Sequence, residues 1–97
     1  MARFSKLNPV LHAPLRLAII SLLVSVETAD FNYLLEQTGA TKGNLSAQLT
    51  KLKEAGYVHI KKGYKNNYPH TQCTITQAGV SAFEAYIKNL KNYLPEA

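Results

Sequence analysis

Within TKGNLSAQLTKLKEAGYV, residues 41–58, four uncharged hydrogen-bonding side chains, Asn44, Ser46, Gln48 and Thr50, stand at every second position, and lysines accompany them at 42, 51 and 53. Amides and hydroxyls are poor unaided nucleophiles or bases, but they donate and accept hydrogen bonds in fixed directions. Opposite a polyanion such a set has a definite use. Asn and Gln make two-pronged contacts to adenine in the major groove, Ser and Thr discriminate less and also bind phosphate, and lysines add attraction without sequence information. Thr41, as a helix cap, leaves backbone N–H groups at a positive helix end that suits a phosphate. Asn44, Ser46, Gln48 and Thr50 are therefore the candidate readers of base edges, and Thr41, Lys42, Gly43, Lys51 and Lys53 the candidate contacts to a nucleic-acid backbone. Gly43 falls in the first helical turn, where glycine is less favourable than alanine. Its missing side chain gives the helix clearance to approach a partner closely.

These residues need a scaffold. Leu45, Leu49 and Leu52 repeat at spacings of four and three, which predicts a helix over 41–55 with one buried stripe, stopped by Gly56. Asp30 opens DFNYLLEQTG, a helix over 30–38 that buries Phe31, Leu34 and Leu35 and ends at Gly39. Two short amphipathic helices joined by the link GA make a helix-turn-helix candidate. Upstream, Asn8 and Pro9 suit the start of a helix over 9–26, with Pro14 marking a kink or a later start. Its stripe of Leu11, Leu15, Ala18, Ile19, Leu22, Leu23 and Val26 is wide enough to pack on two sides. VET, residues 26–28, suits a very short strand.

Downstream, YVHIKK and TQCTIT alternate in character around GYKNNYPH, which predicts a β-hairpin over 57–76 with a long loop. Val58, Ile60, Cys73 and Ile75 point inwards on this pattern, and Tyr57, His59, Lys61, Gln72 and Thr74 outwards. The hairpin brings Lys61, Lys62, Tyr64, Lys65 and Tyr68 as further candidate contacts, lysines for phosphates and tyrosine hydroxyls as donors; the alternative for each tyrosine is a ring covering the hairpin's own apolar side. A last helix over 77–94 carries Val80, Phe83, Ile87, Leu90 and Leu94 as a heptad seam. With Leu11 and Leu15 this seam is the candidate dimer interface.

Composition limits the rest. Ninety-seven residues, 46% of them hydrophobic, support one small domain, 1–97, with little room for a deep catalytic cleft. The single cysteine excludes an intrachain disulfide framework, and LAIISLLVSV is about half the length of a membrane span. The expectation is a cytoplasmic protein without a membrane association. Between Gly39 and Thr76 six lysines face one acid, Glu54, while basic and acidic residues balance elsewhere. The net charge of +5 thus sits on the third helix and hairpin, which favours nucleic acid over a merely solvated lysine-rich face.

In order and spacing, HAPLRLAIISLL, DFNYLLEQTGATKGNLSAQLTKLKEAGYV and TITQAG resemble the single-domain winged-helix DNA-binding family related to MarR- and ArsR-type transcriptional regulators. The resemblance covers nearly the whole chain and rests most on GNLS followed by the leucine repeat and AGY. It implies a mainly α winged helix-turn-helix with a β-hairpin wing, dimeric through its N- and C-terminal helices. It also implies that the helix from Lys42 is the recognition helix and that the activity is sequence-specific binding to promoter DNA. The chain departs from that pattern in placing Gln48 where histidine is frequent and in a wing without arginine.

Other chemistries fit less well. Strand alternation puts Cys73 and His59 on opposite faces, so no metal site is expected from His59, His70 and Cys73. GATKGN lacks the Gly-Lys-Ser/Thr ending of a phosphate-binding loop, and no nucleophile and base stand at a catalytic spacing, so neither an enzyme nor a cofactor is expected. The remaining alternatives are a winged helix used as a protein-interaction module and a nonspecific nucleic-acid binder. No effector is specified by the sequence.

Overall fold

A computed structural model describes residues 3–95. The chain forms α1 (Pro14–Val26), β1 (Thr28–Asp30), α2 (Phe31–Thr38), α3 (Lys42–Glu54), β2 (Val58–Lys65), β3 (Tyr68–Ile75) and α4 (Gln77–Lys91). The three strands make one antiparallel sheet in the order β1-β3-β2. This is a winged-helix fold, as the sequence pattern predicts.

The helix expected from Pro9 begins instead at Pro14. Asn8 does cap, but it caps a single turn: its Oδ1 accepts from Val10 N at 2.9 Å and Leu11 N at 3.3 Å, and its carbonyl accepts from His12 N at 2.8 Å. The chain then breaks because a residue before proline is pushed out of the helical region. Ala13 is extended, at φ −149° and ψ 125°, and Pro14 starts the helix proper. Three side-chain caps fix the other helix starts. Asp30 accepts from Tyr33 N, Thr41 from Asn44 N and Thr76 from Gly79 N. Gly39, in the left-handed region at φ 67°, closes α2 and sets the tight link to α3.

The strand expected at residues 26–28 is displaced to Thr28–Asp30, where it pairs with Gln72–Thr74 of β3. Glu27, with φ 66°, makes the sharp exit from α1 that shifts it. The long hairpin loop is also revised, because β2 and β3 stay paired out to Lys65 and Tyr68 and only Asn66 and Asn67 form the turn. Both have positive φ, 52° and 65°, which asparagine tolerates and which matches the twist of the flanking strands. Pro69 sits inside β3 at no cost to the ladder with β1, which reaches β3 only at residues 72–74.

The core holds Leu11, Ile19, Ile20, Leu23, Leu34, Leu45, Leu49, Leu52, Val58, Cys73 and Tyr86. Two of these change the expected packing. Leu11, assigned to a dimer surface, is fully buried within its own domain and has no area left for a partner. On α4 the buried residues are Gly79 and Tyr86, whereas Val80, Phe83, Ile87 and Leu90 are half-buried and Leu94 is exposed. Leu94 lies past the end of α4, where the chain tightens into i to i+3 turns. Tyr57, expected on the wet side, is half-buried and accepts a hydrogen bond from Asn8 Nδ2 at 2.8 Å.

Candidate nucleic-acid interface

The leucine stripe of α3 is driven fully inwards, with Leu45, Leu49 and Leu52 at most 2% exposed. The helix therefore presents a fixed outer face, on which Lys42, Gly43, Asn44, Ser46, Ala47, Thr50, Lys51 and Lys53 are all exposed. A Cβ placed on Gly43 would meet nothing of the protein within 4 Å, so the space in front of the first turn is open. Thr41, also exposed, accepts from Asn44 N at 3.2 Å and so serves as the cap. Thr50 donates its hydroxyl proton back to the Ser46 carbonyl at 3.0 Å, which leaves its oxygen as an outward acceptor.

Gln48 differs from its neighbours. It is half-buried, and Arg16 reaches it from the first turn of α1: Nη1 donates to Gln48 Oε1 at 2.6 Å. Gln48 Nε2 in turn donates to Asn44 Oδ1 at 3.0 Å, one helical turn away. Arg16 is itself held, Nε donating to the Val10 carbonyl at 2.6 Å and Nη2 to that of Pro9 at 3.4 Å. The broken first turn of the chain thus has a purpose, since its carbonyls orient the guanidinium towards α3. Sequence reasoning missed Arg16. Its signal is a lone charge inside the apolar run PLRLAIISLL, but nothing local names its partner 32 residues away.

The wing's basic residues divide by register. Lys62 and Tyr64 share the face of Val58 and Ile60, whereas Lys61 and Lys65 share the other with Gln72, His70 and Tyr68 across the ladder. On the first face Lys62 and Thr71 meet Ser46, Thr50 and Lys53 around one groove, whose apolar lining is Phe31, Leu49 and Ile60. Two ammonium groups and the hydroxyls of Ser46 and Thr71, converging on an open groove, suit a phosphate oxygen, whereas Thr50 has its proton on the Ser46 carbonyl. Tyr64 and Tyr68, 81% and 74% exposed, do not cover the hairpin, so that alternative for the tyrosines is set aside.

Cys73 is buried opposite Ile60, and His59 is exposed on the other face, paired with Thr74. Burial, reinforced by the Asp30 charge, pushes the thiol up to about 11, so it stays protonated and apolar in character. Among the described residues no group of three His, Cys, Asp or Glu is placed to hold a metal ion, and no helix is long and apolar enough to cross a membrane. Leu15 of α1 is half-buried, and Val24 joins Phe83 and Ile87 of α4 in an apolar groove edged by Glu84, Lys88 and Lys91.

Comparison with known proteins places this geometry. The chain is 38% identical over 78 residues, 80% of its length and 85% of the relative's, to an uncharacterised protein of Methanocaldococcus jannaschii. Among solved structures it is similar to a transcriptional regulator homologue from Pyrococcus horikoshii OT3, with TM-score 0.81 and 27% identity over 87% of this chain and 83% of that one. It is similar also to NadR, solved in complex with 4-hydroxyphenylacetate, with TM-score 0.71 and 25% identity over 88% of this chain and 62% of that one. The model of the winged helix DNA-binding domain matches residues 15–94, which takes in α1, the helix-turn-helix, the wing and α4. With a capped α3 whose polar face is open and whose lysines are matched by those of the wing, the chain belongs to the winged helix DNA-binding domain family and is a DNA-binding regulator.

Proposed function

We propose that this regulator represses transcription in the cytoplasm by occupying a promoter as a homodimer and excluding polymerase or another factor. The observation that carries the reading is the basic charge of α3 and the wing: Lys42, Lys51, Lys53, Lys61, Lys62 and Lys65 are all exposed there. In this reading α3 enters the major groove. Asn44 and Gln48 meet base edges, Ser46 and Thr50 border the groove shared with Lys53 and Lys62, and the first turn of α3, with Thr41, Lys42 and Gly43, approaches a phosphate. Lys51 adds sequence-independent attraction, and Lys61, Lys65, Tyr64 and Tyr68 extend along the duplex backbone.

A homodimer joined through α1 and α4 would present two copies of α3 about one helical turn apart, so the site is an inverted repeat with half-site centres about 10 bp apart. Competition between promoter-derived genomic fragments and random duplex at ~150 mM salt tests the reading. At least a hundredfold preference for particular fragments is expected. Equal affinity for both would reduce the protein to a nonspecific binder, and absence of binding would favour a protein-interaction module.

A further inference from the structure

We infer that Arg16 sets the hydrogen-bond polarity of the α3 reading face, so that Asn44 and Gln48 present donors and recognise guanine rather than adenine. The inference rests on the proposal that α3 enters the major groove and specifies which edge it reads there.

A guanidinium has five N–H donors and no acceptor. The atom that Gln48 turns to Arg16 Nη1, 2.6 Å away, must therefore be its carbonyl oxygen. That places Gln48 Nε2 towards Asn44, and the same logic repeats: an amide nitrogen can only donate, so Asn44 answers with Oδ1 at 3.0 Å and turns Nδ2 away. One donor-only residue thus orients two amides in series. Arg16 is well suited to do so because the Val10 and Pro9 carbonyls hold it and its half-burial limits its alternatives.

The consequence concerns what remains for DNA. An amide reads adenine by donating to N7 and accepting from N6, which needs a nitrogen and an oxygen of the same side chain. Here each carbonyl oxygen is turned towards a donor of the protein, which engages one of its two lone pairs and aims the oxygen along the helix surface. Among the described residues no acceptor takes the second N–H of Gln48 or either N–H of Asn44. Two adjacent donor groups match the paired acceptors of guanine, O6 and N7, better than the edge of adenine, whose N6 amino group needs an acceptor turned outwards. Arg16 does not touch the base; it is a positioning residue.

Selection of bound duplexes from a random-sequence library by the intact chain tests this, with the relevant position identified as the one whose preference disappears in Gln48→Ala. The wild type is expected to select guanine there, and replacing that guanine by 7-deazaguanine, which lacks the N7 acceptor, should weaken binding roughly tenfold. Arg16→Met frees the Gln48 amide to rotate and should move the preference to adenine. Arg16→Lys, which keeps a donor-only group, should retain guanine. Adenine in the wild-type selection, or guanine persisting in Arg16→Met, would overturn the inference. If Arg16→Met loses its helical circular dichroism, the wild type decides alone, because unchanged affinity for the 7-deazaguanine site overturns the inference equally. A wild-type selection with no enriched sequence would instead overturn the regulator reading on which it rests.

Discussion

Gly43 stands in the first turn of α3, where glycine is less favourable than alanine and the space outside is open. Nothing of the protein lies within 4 Å of where its Cβ would stand, and its backbone is helical rather than in the left-handed region. Gly43→Leu should therefore fold normally and melt at an equal or slightly higher temperature, since leucine is the better helix former by up to about 0.8 kcal/mol. The same change should weaken DNA binding at least tenfold by filling the clearance in front of the first turn. Thermal unfolding and a binding titration on one preparation measure the two effects, and undiminished affinity would return the glycine to a simple helix-start role. Much of this face was legible from spacing, because Leu45, Leu49 and Leu52 dictate which side of α3 stays wet. The bond from Arg16 was not, since it depends on how α1 crosses α3 and on a broken turn that periodicity does not encode.

At the scale of elements, the wing is anchored by a close approach within TITQAG that its sequence alone does not display. Thr76 joins three pieces: its N–H donates to the Tyr57 carbonyl at 3.0 Å, its hydroxyl donates to the Gly56 carbonyl at 2.7 Å, and its Oγ1 accepts from Gly79 N at 3.0 Å. The end of α3, the base of the hairpin and the start of α4 are thereby locked together. Gly79 makes this possible. A Cβ there would collide with the Tyr57 carbonyl oxygen and stand 2.9 Å from Ile75 Cγ1. Gly79→Ala is expected to destabilise the fold by about 1–3 kcal/mol, because overpacking against backbone outweighs the roughly 1 kcal/mol that alanine gains in a helix. In a domain of this size each kcal/mol lowers the thermal midpoint by about 4–8 °C, so calorimetry resolves the loss, and a raised midpoint would contradict the close packing. Element types and order followed from pattern. Boundaries depend on local chemistry that competes with it: at Pro14, where the later of the two possible starts holds because proline ejects Ala13 from the helix, and at Asn66 and Asn67, which turn in two residues where the pattern allots eight to a loop.

For the whole molecule, the question is what covers the apolar surface that the domain does not bury itself. The segment before α1 meets the segment after α4: Tyr93 donates to the Ser5 carbonyl at 2.6 Å and its ring packs on Phe4 with centroids 5.0 Å apart. Tyr86, which stands outside the heptad seam of α4, is buried, and its hydroxyl meets His12 Nδ1 at 2.9 Å. Tyr86 takes the core side, so the stripe through Phe83 and Ile87 is rotated partly outwards, where it meets Val24 in a groove that includes no residue of α3 or the wing. A second copy seated there by two-fold symmetry would leave both reading faces open. Val24 is 37% exposed and lines the groove with Phe83 and Ile87 rather than the core, so Val24→Glu tests the proposed interface without a buried charge. Light scattering should give twice the 10.8 kDa chain mass for the wild type and a single chain mass for Val24→Glu, whose circular dichroism should be unchanged. That variant should bind an isolated half-site as the wild type does when only one half-site is present, yet lose the gain that a second half-site provides through linked binding. A Val24→Glu protein that remains dimeric would move the interface away from this groove, and a monomeric wild type would remove the inverted-repeat site along with it.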